Sequence, residues 1–130
     1  MSAPLLSASG ISKTYAGSGR RVVALDDVSI GVARGETLGL VGPSGSGKST
    51  LARILLRLIE PDAGRIEFDG GDLLLLRGEK LRVTRRRIQM VFQEPLAAFN
   101  PRATVGGALA DPLRIHGIAG SAERSAAVAH

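Results

Sequence analysis

Residues 42–49 read Gly-Pro-Ser-Gly-Ser-Gly-Lys-Ser, and this spacing constrains the chain more than any other feature. A glycine, four residues, a second glycine, a lysine and a hydroxyl residue form a loop whose backbone wraps an anion with its amides pointing inward. Such a loop works between a buried strand and a helix, because the helix adds its positive N-terminal dipole to the same anion. Both flanks are expected here. Leu38, Leu40 and Val41 make Thr37–Val41 a short apolar run, the pattern of a strand buried on both faces. Leu51, Ile54, Leu55 and Leu58 then recur at helical spacing, with Arg53, Arg57 and Glu60 on the other side and Pro61 as the stop. A glycine-rich turn that happens to precede a lysine is the plain alternative, and average residue usage gives the pattern odds of roughly half a percent in a chain this long.

The candidate residues have separate roles. Gly42, Pro43, Ser44, Gly45, Ser46 and Gly47 offer backbone to a diphosphate, Lys48 supplies a point charge for the β and γ phosphates, and the Ser49 hydroxyl suits Mg²⁺. Thr50 is placed for the α-phosphate side.

Around the loop the pattern is mixed. Leu5–Tyr15 reads as a strand, residues 16–19 as a flexible loop and Val22–Leu25 as a second strand. Val28, Ile30 and Val32 alternate with Ser29 and Gly31 as in a half-buried strand, and Ala33–Glu36 is expected to be a hairpin turn with Thr37–Val41 as the return strand. Asp62–Gly64 reads as a turn, Arg65–Phe68 as a strand, Asp69–Gly71 as its terminal turn, Gly78–Arg87 as a basic helix and Ile88–Phe92 as another buried strand. Pro95, Pro101 and Pro112 are expected to break the chain beyond Phe92 into short pieces, and the alanine-rich end from Ser121 to His130 has helical propensity.

Composition narrows the classes. A net charge of +5 invites a nucleic-acid reading, but aromatics are only 3%, too few for stacking platforms, and the one tight basic run, Arg85–Arg87, is explained as well by a solvated helix face. No nucleic-acid partner is expected. The chain has no cysteine, which suits a reducing compartment, and its longest purely aliphatic run is Leu73–Leu76, so neither an export signal nor a membrane span is read. His116 and His130 have no matching ligand partner and read as ordinary surface or packing residues.

The block Val41–Leu51, V-G-P-S-G-S-G-K-S-T-L, resembles the Walker A segment of ATP-binding cassette (ABC) proteins, and Val91–Pro95, V-F-Q-E-P, resembles their Q-loop. Ala24–Ile30, Gly35–Gly39 and Pro61–Gly70 are similar to the same family, so the likeness covers nearly the whole chain. Ile88–Val105 and Asp111–Gly117 resemble the ATPase subunits of dipeptide, oligopeptide and nickel importers, with Glu94 where aspartate is common and Ala97, Ala98 and Phe99 as further departures. The resemblance implies an α/β P-loop fold: an ABC-type nucleotide-binding domain with an N-terminal antiparallel β subdomain. It implies ATP and Mg²⁺ as cofactors. Tyr15 falls where the family places an aromatic ring against adenine, though a lone tyrosine after a strand also serves simple packing. Gln93 is the expected Q-loop residue, completing Mg²⁺ coordination beside Ser49 and, with Lys48, serving catalysis. Implied partners are transmembrane permease subunits, a second ATPase subunit and, indirectly, a solute-binding protein. The implied location is the cytoplasmic face of the inner membrane, peripherally attached.

Phosphoryl transfer needs an acid to hold the metal and another to position water. No apolar run ending in Asp-Glu comes after Gln93, and the L-S-G-G-Q signature and switch histidine are missing as well. Residues 1–130 are therefore expected to form the N-terminal part of a single nucleotide-binding domain, cut before Walker B and able at most to bind nucleotide. An inactive nucleotide-binding module and a different P-loop enzyme, such as a small kinase or GTPase, remain the alternatives.

Overall fold

An antiparallel hairpin organises the first part of the chain. β1 (Leu6–Ala16) and β2 (Arg21–Val32) pair from Leu6 opposite Val32 to Ala16 opposite Arg21. The expected loop is the hairpin connection, closed by the Gly17 amide donating to the Arg20 carbonyl at 2.9 Å. The two short strands expected at Val22–Leu25 and Val28–Val32 are one strand. Asp27 takes φ 51° and its amide donates to the Ser12 hydroxyl at 3.1 Å, while the register shifts between Ile11 and Lys13. Such a bulge absorbs the change of phase and leaves the ladder paired on both sides of it.

β3 (Ala63–Phe68) pairs with the other edge of β1, and β4 (Gly71–Asp72) pairs with β3, so the sheet runs β2-β1-β3-β4. β3 begins within the expected Asp62–Gly64 turn, because the Asp62 amide already donates to the Ser12 carbonyl at 2.9 Å. The core is Ala8 and Ile11 from β1, Leu25 from β2, Ile66 from β3, Leu73 after β4, and Leu51 and Ile54 from helix α1 (Lys48–Leu55). Burying each large aliphatic side chain contributes roughly 1.5–3 kcal/mol, which fixes the helix against the sheet.

α1 ends earlier than Pro61. The Arg57 amide donates to the Ile54 carbonyl and the Leu58 amide to the Arg53 carbonyl, both at 2.9 Å, with Arg57 at φ 56°. That is a Schellman stop, with arginine in the left-handed position usually given to glycine. Arg57, expected on the solvated side, is only 6% exposed. Its guanidinium donates to the Leu73 and Leu74 carbonyls at 3.2 and 2.6 Å and pairs with Glu60 at 2.7 Å, so a turn sixteen residues downstream buries it.

The expected strands Thr37–Val41 and Ile88–Phe92 are corrected. Neither segment is in a ladder, Val41 is 91% exposed and Val91 is 90% exposed. A strand is defined by its hydrogen-bonded neighbour, and among the described residues none lies beside either segment. Helix α2 (Gly78–Arg85) has no buried residue, as a solvated basic helix should. α3 (Val105–Ile115) contains Pro112, contrary to the expectation that this proline breaks the chain. Thr104 caps it, its hydroxyl accepting from the Gly107 amide at 3.1 Å, and the proline removes only the one donor that would have reached the Ala108 carbonyl. α4 (Ser121–Ala129) matches the helical propensity of that end.

The structure, a computed structural model, describes residues 4–17, 19–94, 100–118 and 120–129. The readings on Ser18, on Pro95, on Ala97, Ala98 and Phe99, and on His130 lie outside the described residues. Two compact units, Met1–Leu81 and Arg82–His130, divide the chain.

Candidate phosphate-binding site

The loop from Gly42 to Gly47 joins irregular backbone to the start of α1. Ser44 and Gly45 form its turn, braced by the Ser46 amide donating to the Pro43 carbonyl at 3.3 Å. Gly47 is the N-cap of α1 at φ 87°, and its carbonyl accepts the first helical bond from the Leu51 amide at 2.8 Å. Only glycine fits there. An added Cβ would lie 2.4 Å from the Ala24 carbonyl oxygen and 2.9 Å from the Leu25 side chain, both on β2. The loop is thereby pressed onto the hairpin, which sets where the free amides of the first helical turn point.

Lys48 opens the helix and its side chain turns back over the loop. Its ammonium donates to the Gly42 and Pro43 carbonyls at 2.7 Å each and to the Ser46 hydroxyl at 3.2 Å. One positive charge therefore sits inside the curl that the glycines make. Ser49 is exposed at the helix start and Thr50 is half-buried beside it. α1 has no acidic residue in its first turn, so no carboxylate there opposes an incoming anion. A cleft of about 250 Å³ adjoins the loop, walled by Leu25, Val28 and Leu51 and floored by the loop residues. The walls are a feature that sequence reading missed, since β2 reaches the loop only through folding.

Tyr15 stands near the end of β1, 39% exposed and paired with Val22 of β2. The Lys13 ammonium lies over its ring, 5.7 Å from the centroid. That ammonium also pairs with Asp62 Oδ1 at 2.8 Å, while Asp62 Oδ2 accepts from the Thr14 amide at 2.7 Å. The Lys13 hydrogen bond, then that of Thr14, hold the Asp62 carboxyl below its ordinary value. Sequence reading gave Asp62 only a place in a turn and Lys13 no role, and did not join them, because 49 residues separate them.

The sequence-predicted site thus divides. Gly42–Thr50 come together as one loop and helix start, and Tyr15 belongs to the same unit on the sheet that carries the loop. Gln93 belongs to the second unit, where it is exposed in a bend. No described helix is long and apolar enough to cross a membrane.

The chain is similar to known proteins over most of its length. A putative peptide import ATP-binding protein of Brucella ovis is 50% identical over 121 residues, which is 93% of this chain and 38% of that protein. The glutathione import ATP-binding protein GsiA of Escherichia coli K12 is 47% identical over 110 residues, 85% of this chain and 18% of GsiA. The chain thus spans well under half the length of these relatives. The ATP-binding cassette MJ0796, solved as a dimer bound to ADP and Pi, superposes with a TM-score of 0.78 at 28% identity over 95% of this chain and 53% of its own. The fold is that of an ABC-type P-loop nucleotide-binding domain. Residues 25–129 match the ABC transporter family, and with the glycine loop, the lysine in its curl and the antiparallel sheet in place, the chain belongs to that family.

Proposed function

We propose that this chain forms the nucleotide-gripping part of the ATP-binding subunit of a peptide-class ABC importer. The observation that carries the reading is the Lys48 ammonium seated among the Gly42 and Pro43 carbonyls and the Ser46 hydroxyl, at the start of a helix whose N-cap admits only glycine. This fits a cradle for a polyphosphate: a glycine-rich loop, a helix N-terminus and a movable point charge.

Gly42–Gly47 would hold the phosphate chain of ATP, Lys48 its β and γ groups and Thr50 its α side. Mg²⁺ is a hard cation that takes oxygen ligands, and the Ser49 hydroxyl and the Gln93 amide oxygen are donors of that class. When bound, that ion supplies charge neutralisation on the phosphate oxygens. Tyr15 offers its ring to adenine. Its ladder partner Val22 is three residues from Leu25, which touches Gly47, so ring and loop are separated by about 10 Å along β2, the scale of a nucleotide from base to phosphates.

The remaining roles come from the relatives' names. Peptide and glutathione import ATP-binding proteins point to a subunit that couples ATP hydrolysis to import by permease partners, working beside a second ATPase subunit as in the dimeric MJ0796. A solute-binding protein completes such a system, and the subunit sits peripherally on the cytoplasmic face of the membrane. In this reading residues 1–130 are the N-terminal part of one nucleotide-binding domain, and hydrolysis requires the parts that relatives carry beyond it. Titration calorimetry with Mg-ATP tests the reading. Binding that Lys48→Ala weakens by tenfold or more is expected; equal affinity in both proteins would overturn it.

A further inference from the structure

We propose that Lys13, locked in place by Asp62, is the positioning residue of the base subsite: its ammonium covers one face of the Tyr15 ring and leaves the other for the nucleotide base. This rests on the reading of Tyr15 as the base contact.

Three observations converge on the pair. The Lys13 side chain is only 16% exposed, unusual for a lysine so near a hairpin end, so its position is fixed rather than sampled. Asp62 grips both the Lys13 ammonium at 2.8 Å and the Thr14 amide at 2.7 Å, so one carboxylate restrains the residues on which Tyr15 hangs. Asp62 is itself anchored, its amide donating to the Ser12 carbonyl at 2.9 Å. The carboxylate therefore fixes the end of β1 from the neighbouring edge, where β3 begins. Above this frame the ammonium stands over the tyrosine ring at 5.7 Å, within the range of cation–π attraction, and Tyr15 as a residue stays 39% exposed.

The chemistry gives this arrangement a purpose. A ring free to turn about its two side-chain torsions loses that freedom when a base stacks on it, and the loss weakens binding. A cation held on one face restricts the ring before the base arrives. It also draws π density toward itself, making the opposite face a better partner for an electron-rich purine. The effect is confined to the base: a phosphate chain without a nucleoside touches neither Lys13 nor Tyr15. Lys13 thus contributes to nucleotide affinity from a place remote from the charge it would be expected to neutralise.

The test compares ATP with inorganic tripolyphosphate, each with magnesium, by titration calorimetry on the chain and its variants. Lys13→Met keeps the buried stem and removes the cation; Asp62→Asn keeps the shape and loosens the lock. Both are expected to weaken ATP by about two- to fivefold while leaving tripolyphosphate unchanged, and Lys13→Arg is expected to restore ATP affinity. Tyrosine emission supplies a second readout, because Tyr15 is the only tyrosine and the chain has no tryptophan. The change in that emission on adding ATP should shrink in Lys13→Met. Equal weakening of both ligands, or of neither, in both variants overturns the positioning role. Tyr15→Ala separates the two levels. If it weakens ATP while Lys13→Met does not, the inference fails and the base contact stands; if Tyr15→Ala leaves ATP affinity intact, the base contact itself is refuted.

Discussion

Replacing Gly47 by alanine tests whether the loop is shaped by contact with the hairpin or only by its own torsions. Gly45 supplies the control. Gly45 and Gly47 sit at positive φ, 81° and 87°, so either alanine carries the strain of a left-handed residue, about 1–2 kcal/mol. They differ in surroundings. A Cβ on Gly45 meets nothing within 4 Å, whereas a Cβ on Gly47 would lie 2.4 Å from the Ala24 carbonyl oxygen. Real Cβ atoms do not approach so closely, and the obstacle is ladder backbone, which has no rotamer to yield. Either the loop lifts from β2 or β2 bends, and forced overpacking of this kind costs about 1–3 kcal/mol more. Gly45→Ala should therefore lower unfolding free energy by about 1–2 kcal/mol and Gly47→Ala by about 2–5 kcal/mol. Urea denaturation at low micromolar protein measures both, and Mg-ATP calorimetry should find affinity lost chiefly in Gly47→Ala. If the two variants are equally stable, the β2 contact does not shape the loop and the reasoning is wrong.

Arg57→Met keeps the stem but takes the side-chain donor from the Leu73 carbonyl, while the Leu74 carbonyl keeps that of Arg77. The change should cost about 1–3 kcal/mol by urea denaturation, since a buried acceptor without a donor carries its desolvation penalty. For Asp62 the folded pKa lies below the ordinary 3.8, so its contribution is complete above that range and disappears as pH falls through the folded value. The stability difference between the native chain and Asp62→Asn should accordingly be constant above about pH 5 and close toward zero in stronger acid, measured by denaturation at a series of pH values. The exposed Leu38, Leu40, Val41 and Val91 predict self-association of residues 1–130 at raised concentration, checked by light scattering; a preparation that stays monodisperse as concentration rises would contradict this.

How much of the fold is legible in the sequence depends on the reach of each interaction. The phosphate loop is legible because its geometry depends on consecutive residues: torsions that glycine permits, a lysine one step into the helix, a hydroxyl after it. The pairing of β1 with β2 is legible as strand, loop, strand with glycines at the connection, whereas the hairpin expected to turn at Ala33–Glu36 does not form: the Glu36 amide donates to the Ala33 carbonyl at 3.3 Å, but Thr37–Val41 joins no ladder. Thr37–Val41 and Ile88–Phe92 mislead because apolar runs state a preference for burial, whereas a strand also needs a neighbour to bond. Arg57 misleads because helical spacing assigns faces only while the helix lasts, and a left-handed turn ends it at that residue. α3 is hidden by Pro112, which looks like a breaker, although one absent donor near the end of an eleven-residue helix removes a single bond. The Lys13–Asp62 pair is invisible until the sheet order is known.

The lysine curled over its own loop has one more implication. Because Lys48 already spends its protons on the Gly42 and Pro43 carbonyls, an arriving phosphate offers it an exchange of oxygens, with two backbone acceptors released for one or two anionic ones. The net heat of association should then be smaller than a count of final contacts suggests, and the loop enters the encounter already shaped, favouring quick capture over a large enthalpic gain.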